Sequence, residues 1–194
     1  CRLRDGQTGF CAIRANHGGR LVALTYGRPA TAQVDPIEKK PLFHFLPGSG
    51  VFSLGTTGCD LRCVFCQNWE LSRAAAGSGD TPVVPPGAVV ERAAELDCPA
   101  IAFTYNEPTI WGEYVSDVAA AARERGIATV LVTNGYVAPE AFADLYEHVA
   151  AANVDLKALS DEFYRRRTHA RLAPVLDTLR RIVRDTAIWL EITN

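Results

Sequence analysis

The sequence predicts an α/β protein built on a parallel sheet, and three observations carry that prediction. From Val51 onward, short apolar runs of strand length alternate with longer segments of helical periodicity. Prolines stand where those helices begin and a glycine where one of them stops. Polar or metal-ligating side chains follow the same end of five successive strands. Strand–helix–strand repeats impose right-handed crossovers and parallel neighbours. Both doubly wound sheets and (β/α) barrels place their chemistry at the carboxyl ends of such strands, and periodicity does not separate the two.

Two regions are expected: a Cys- and Gly-rich β segment with a connector over residues 1–50, and the alternating core over 51–194. In the first, Gly18-Gly19 flanked by residues 11–14 and 21–24 predicts a small hairpin. Cys1 and Cys11 are either half of a metal site or two structural thiols, since free cysteine also behaves as a small buried hydrophobe. Residues 35–41 read as an extended, Pro-stiffened connector.

In the core, residues 51–54 form the first strand, and Gly55-Thr56-Thr57-Gly58 turns the chain into a cysteine-rich loop. Residues 80–86 read as a proline-rich linker, after which Pro86 opens a helix to about Leu96 with Val89, Val90, Ala93 and Ala94 on its apolar face. Residues 100–104 are the second strand. A helix over 108–125 then presents Ile110, Tyr114, Val118 and Ala122 on one side and stops at Gly126. Residues 128–132 are the third strand, 139–151 the third helix and 154–156 a short fourth strand. Ser160 caps a fourth helical region that breaks near Pro174 and resumes to about Arg184, before a fifth strand over 188–192.

Cys59, Cys63 and Cys66 follow the first strand with the spacing Cys-x3-Cys-x2-Cys. Thiolates are soft ligands that select zinc, copper(I) or iron–sulfur centres. An iron–sulfur cubane normally takes four cysteines, so a loop offering three leaves one iron open, as a catalytic site requires. A zinc loop is the alternative. Zinc sites usually come as two Cys-x2-Cys halves, and no second half follows here. The later strands end in Tyr105-Asn106-Glu107-Pro108, Thr133-Asn134-Gly135 and Asp155-Leu156-Lys157, and the fifth carries Glu191 and Thr193. Cys98 reads as core and His44 as structural; His17, His148 and His169 form no ligand pair, and Arg165-Arg166-Arg167 reads as a solvated helix face.

Composition narrows the function classes. A 48% hydrophobic and 22% charged chain is an ordinary globular one, and a net charge of −2 offers no electrostatic footprint for nucleic acid or an anionic membrane. No apolar run approaches the length of a membrane span, and no signal-peptide pattern is present. Six cysteines, clustered as these are, read as metal ligands in a reducing cytoplasm. A chain that begins at Cys1 and contains no methionine is expected to be the middle of a longer protein.

The cysteine loop, with Phe65 just before its third thiol, resembles the signature of the radical S-adenosylmethionine (SAM) enzymes. More narrowly, DPIEKKPLFHFLPG (35–48), GCDLRCVFCQNWE (58–70), TYNEP (104–108) and VTNGY (132–136) resemble the radical SAM member of the AmmeMemoRadiSam system, of the pyruvate formate-lyase activating-enzyme type. The resemblance implies a partial, TIM-like (β/α)6 barrel cut at both ends, with the rest of the barrel beyond Asn194 and further cysteines near Cys1. It implies a [4Fe-4S] cluster on Cys59, Cys63 and Cys66, with SAM on the open iron, cleaved reductively to a 5′-deoxyadenosyl radical that abstracts hydrogen. Glu107 matches the acidic residue of a Gly-Gly-Glu-Pro segment that receives the SAM amino group, although Tyr105 and Asn106 replace the glycines here. Lys157 matches a lysine facing the SAM carboxylate; a surface lysine at a strand end is the other reading.

Asn106, Asn134 and Glu191 are expected as further SAM contacts, with Asp155 on the same rim, and no catalytic residue is assigned. Val132 stands where the activating enzymes carry an acidic residue that helps hold a monovalent cation, which speaks against that cation site here. The expected partners are an electron donor such as reduced flavodoxin or ferredoxin, and a protein substrate or AmmeMemoRadiSam-system proteins, with no nucleic acid and no membrane. The hydrogen donor stays open between a backbone glycine of a partner protein, another protein group and a small molecule. A different class, a non-catalytic iron–sulfur electron-transfer or zinc-binding module, has no use for Glu107 and Lys157.

Overall fold

The computed structural model describes residues 2–77 and 82–194, so Cys1, Asp80 and Thr81 lie outside the described residues. The chain opens with an antiparallel hairpin of β1 (Arg14–His17) and β2 (Arg20–Ala23), turned through Gly18 and Gly19, both at positive φ. That is the expected hairpin, with its strands closing directly on the glycines. The expected connector begins instead as a strand. β3 (Thr31–Pro36) pairs antiparallel with β4 (Gly50–Gly55) at the sheet edge, where a proline at the strand end costs no ladder bond. A 3-10 turn over Ile37–Lys39 follows β3.

After β4 come the cysteine loop, a short helix α1 (Trp69–Arg73) and helix α2 (Pro86–Glu95), which has its proline in the first turn as expected. Strand β5 (Ala100–Phe103) leads through a 3-10 turn, Pro108–Trp111, into α3 (Gly112–Glu124). Then follow β6 (Ala128–Thr133), α4 (Pro139–Tyr146) and β7 (Ala151–Asp155). The third helix thus ends earlier than its periodicity predicts. Ala151 and Ala152 are drawn into β7, where they pair with Val130 and Leu131, so sheet pairing overrides the helical preference of alanine. Ser160 does cap the next helix, α5 (Asp161–Phe163), which runs on as a π turn, Tyr164–Thr168. The break comes at His169, in the left-handed region at φ 60°. Pro174 lies instead in the first turn of α6 (Leu172–Asp185), where its missing N–H is harmless, and β8 (Trp189–Thr193) follows.

Strand order settles the architecture. β4, β5, β6, β7 and β8 lie side by side in chain order, each parallel to the next, with β3 on the outer edge of β4. A doubly wound sheet reverses its order at a switch point, and this sheet does not. It is the singly wound arrangement of a partial (β/α) barrel.

Consequently α2, α3, α4 and α6 cover one face. Phe52, Leu54, Ile101, Phe103, Leu131 and Val154 from the strands pack there against Val90, Tyr114, Val118, Phe142, Val175 and Ile182 from the helices. Alternate strand residues face the other way, and they are small: Val51, Ala100, Ala102, Val130 and Ala151. Ile37 and Leu42 fill that face from the stretch after β3. Polar ties hold this insert in place. Lys40 pairs with Asp35 at 2.6 Å, and the Asn153 side chain donates to the Pro41 carbonyl at 3.0 Å. No helix among the described residues is long and apolar enough to cross a membrane.

Candidate functional site

The cysteine loop is fixed from three sides. Gly58 takes φ 81°, and a Cβ there would meet the carbonyl oxygen of Cys11 at 2.2 Å, so only glycine lets the loop seat on the N-terminal segment. The backbone N–H groups of Arg62 and Val64 donate to the carbonyls of Thr168 and Arg167 on the π turn. Asn106 completes the clamp: its oxygen accepts from the Thr56 N–H, and its amide donates to the Gly58 carbonyl at 2.9 Å.

Cys59, Cys63 and Cys66, half-buried and outside any disulfide, line a cleft of about 770 Å³. Glu107, Asn134 and Lys157 line the same cleft. The expectation that the strand ends build one site holds for four of the five strands.

Glu107 is 2% exposed and accepts three hydrogen bonds, from Thr109 N–H at 3.0 Å, the Thr133 hydroxyl at 2.8 Å and Asn134 N–H at 2.7 Å. Burial nevertheless pushes its carboxyl above the usual range. Asp60, inside the cysteine loop, is pushed up likewise by burial and by the nearby Glu107, and it accepts from the Asn134 amide at 2.8 Å. Burial, Asp60 and Glu107 together push the Cys59 thiol up, and burial does the same for Cys63 against the pull of Lys157. Lys157 pairs with Asp155 at 2.9 Å; burial depresses its ammonium, but Asp155 and the neighbouring thiol and carboxylate more than restore it.

The thiol end of the cleft is acid-rich, with the Lys157 ammonium beside three soft donors. A buried carboxylate calls for a cation, and Lys157 calls for an anion. Together they match the two charged ends of an amino acid, while the thiols supply the donor set of an iron–sulfur cluster with one iron open. The residues therefore fit a [4Fe-4S] cluster with SAM beside it. The thiols share the cleft without closing on a centre: among the described residues, no three His, Cys, Asp or Glu side chains form a ready metal-binding group.

The three further contacts expected each have partners within the fold. Glu191 does not line the cleft; its carboxylate accepts the backbone N–H groups of Phe43 and His44 at 2.9 and 3.0 Å, and so holds the insert. Asn106 reaches the cleft, but both ends of its amide are engaged in clamping the loop. Asn134 is likewise committed, to Asp60 and to the Tyr136 N–H. Cys98 is 3% exposed, in the core as expected.

Sequence reasoning missed a second cluster in the cleft. Lys39, Lys40, Gln33 and Tyr105 line it away from the thiols. Asp35 accepts from Lys40 at 2.6 Å, from Lys39 at 2.9 Å and from the Tyr105 hydroxyl. Burial alone would raise the Asp35 carboxyl, but these three donors bring it well below the usual carboxylate range. Tyr105 is pushed up to about 12 by burial and by its bond to Asp35. The sequence marks it only by a pair of adjacent lysines between Pro36 and Pro41, which does not tell a buried lysine from a solvated one.

Comparison with known proteins adds the following. A family model described as the radical SAM superfamily matches residues 53–186. The uncharacterized protein MJ0808 of Methanocaldococcus jannaschii is 41% identical over 194 residues, which is 100% of this chain and 57% of that protein. A structure of TYW1 with a lysine-pyruvate adduct bound is similar in fold, with a TM-score of 0.51 and 18% identity over 73% of this chain and 54% of that one. Streptococcus suis SuiB bound to S-adenosylmethionine gives a TM-score of 0.48 at 19% identity, covering 63% of this chain and 28% of that one. The chain thus spans little more than half the length of the curated relative it matches.

Proposed function

Because the chain belongs to the radical SAM superfamily, we propose that it generates a 5′-deoxyadenosyl radical in this cleft and abstracts hydrogen from a substrate. Members of the superfamily use a [4Fe-4S] cluster and S-adenosylmethionine, and that pair, when bound, supplies the reductive cleavage of SAM. The observation that carries the proposal is the convergence of Cys59, Cys63, Cys66, Glu107 and Lys157 on one cleft.

In this reading each residue has a task. The three thiolates hold the cluster. Glu107, kept free of water, receives the SAM ammonium, where a charge-assisted bond gains strength from the low local dielectric. Lys157 faces the SAM carboxylate, with Asp155 holding its ammonium in place.

Within the superfamily we assign the chain to the activating-enzyme type, with the AmmeMemoRadiSam system as its context. The AmmeMemoRadiSam-like segments support this, and the target is hydrogen on a protein glycine, on another protein group or on a small molecule. Reduction calls for a one-electron donor such as flavodoxin or ferredoxin. The exposed Val64, Phe65 and Trp69 beside the thiols support docking of such a donor at the loop.

The test is electron paramagnetic resonance of the anaerobically reconstituted, reduced full-length protein with and without SAM. A [4Fe-4S] signal that changes shape with SAM is expected. Zinc in place of a cluster, or a cluster indifferent to SAM, would make the protein a metal-binding or electron-transfer module instead.

A further inference from the structure

The two ends of the cleft carry opposite charge. Around the thiols stand Glu107, Asp60 and Asp155 against a single ammonium, Lys157. At the other end stand Lys39 and Lys40 against a single carboxylate, Asp35. An anionic group other than the one that Lys157 takes meets its positive charge at Lys39 and Lys40.

Lys40 is the centre of that second end. Its side chain is 1% exposed, yet it lines the cleft. Its one hydrogen bond goes to Asp35, and it lies 4.6 Å from the centre of the Tyr105 ring. An ammonium has three donors, and among the described residues Asp35 is the hydrogen-bond acceptor recorded for them. Asp35 is fully engaged by Lys40, Lys39 and the Tyr105 hydroxyl, and cannot take a cation from a ligand.

Tyr105 is held at a cost. It takes φ 71°, a left-handed conformation that costs a residue with a side chain ~1–2 kcal/mol. Its hydroxyl accepts from Gln33 at 2.9 Å and donates to Asp35, and its carbonyl accepts from the Asn68 amide at 2.8 Å. Strain of this kind persists where the surroundings over-determine it, commonly at ligand clamps. An ion pair that served only to pin the insert would need neither the second lysine nor this ring laid over the first.

We propose that Lys40, backed by Lys39, is an anion subsite that binds a carboxylate or phosphate group of the substrate and so orients its reacting hydrogen. The proposal rests on the reading that the thiol end of the same cleft holds the cofactors.

The experiment is calorimetric titration of the full-length, cluster-loaded protein with inorganic phosphate and, separately, with acetate, each with and without SAM. Saturable binding of at least one anion is expected, and the one preferred identifies the group. The charge-balanced double variant Asp35→Asn/Lys40→Met should weaken that binding at least tenfold, and Lys39→Met several-fold, with iron content and SAM affinity retained. Lys39→Met guards against misfolding, because its side chain is 62% exposed and its removal leaves the Asp35–Lys40 pair intact. No saturable anion binding, or equal binding by wild type and both variants, would overturn the proposal. Loss of SAM binding in the double variant would also overturn it, by placing Lys40 in the cofactor site. Failure of the wild type to bind SAM would sink the functional reading instead, and the titrations without SAM would still decide the subsite.

Discussion

The carboxylate of Glu107 accepts the backbone N–H of Asn134 at 2.7 Å, and that bond joins the turns that follow two neighbouring strands. Its other oxygen takes the Thr133 hydroxyl from the same turn, so the side chain has one geometry. A carboxylate placed this way is ready for a cationic ligand before the ligand arrives, which lowers the ordering cost of binding.

Glu107→Gln should weaken SAM binding at least tenfold, ~1.4 kcal/mol, because the ammonium loses its counter-charge. The substitution also turns an NH2 group toward donors that now point at an acceptor, which should cost ~1–3 kcal/mol of stability. Anaerobic calorimetry and thermal unfolding read the two effects separately. Unchanged SAM affinity would remove Glu107 from the cofactor site.

Replacing Cys59, Cys63 or Cys66 singly by serine should lower bound iron to background after reconstitution. Cys98→Ala is the control: that thiol is buried in the core beside the Leu96 carbonyl and should leave iron content intact. Iron and sulfide analysis of the four variants decides the matter. Full iron in any of the three serine variants would dismiss that cysteine as a ligand.

Asp35→Asn should destabilise the fold by ~3–5 kcal/mol, since it leaves Lys40 buried without its partner. The sign of the pH dependence follows from the direction of the shift. The folded carboxyl lies below its ordinary range, so its contribution is fully present above the unfolded value of ~3.9 and is lost as pH falls below it. The gap in thermal midpoint between wild type and variant should therefore be constant near neutral pH and narrow on acidification. A gap that widens in acid would contradict the ion pair.

Glu191→Ala should leave SAM affinity unchanged and free the insert instead. The amides of Phe43 and His44 lose their acceptor, so their hydrogen exchange should accelerate, with ~1–3 kcal/mol lost from stability. A fall in SAM affinity with no change in exchange would return Glu191 to the cofactor site.

The core elements were legible because local and global signals agree in them. Pro86, Gly126 and Ser160 mark helix ends that the structure keeps, and β4 and β5 are short apolar runs of the kind that strands buried on both faces carry. Strand β3 was not legible. Its exposed edge position lets Thr31, Gln33 and Val34 stand without an apolar pattern, and the proline run behind it looks like a linker. The thiols, Glu107 and Lys157 announced themselves by spacing and by place in the chain. Glu191 lies outside the cleft for a physical reason: it stands in the middle of β8, and the backbone amides of Phe43 and His44 have claimed its carboxylate. Lys40 was missed because nothing local distinguishes a lysine folded under a tyrosine from one in solvent.

The insert after β3 makes the cleft a composite. Its thiol wall belongs to the strands and their loops, whereas the Lys39–Pro41 wall belongs to a short stretch of chain laid against small residues and held by Asp35, Asn153 and Glu191. Changes of length or side chain within that stretch can reshape the room available to a substrate without moving a residue of the helix-covered core. Under the proposed function, chemistry and selectivity are thereby carried by separate pieces of the chain, and one can diverge while the other stays fixed.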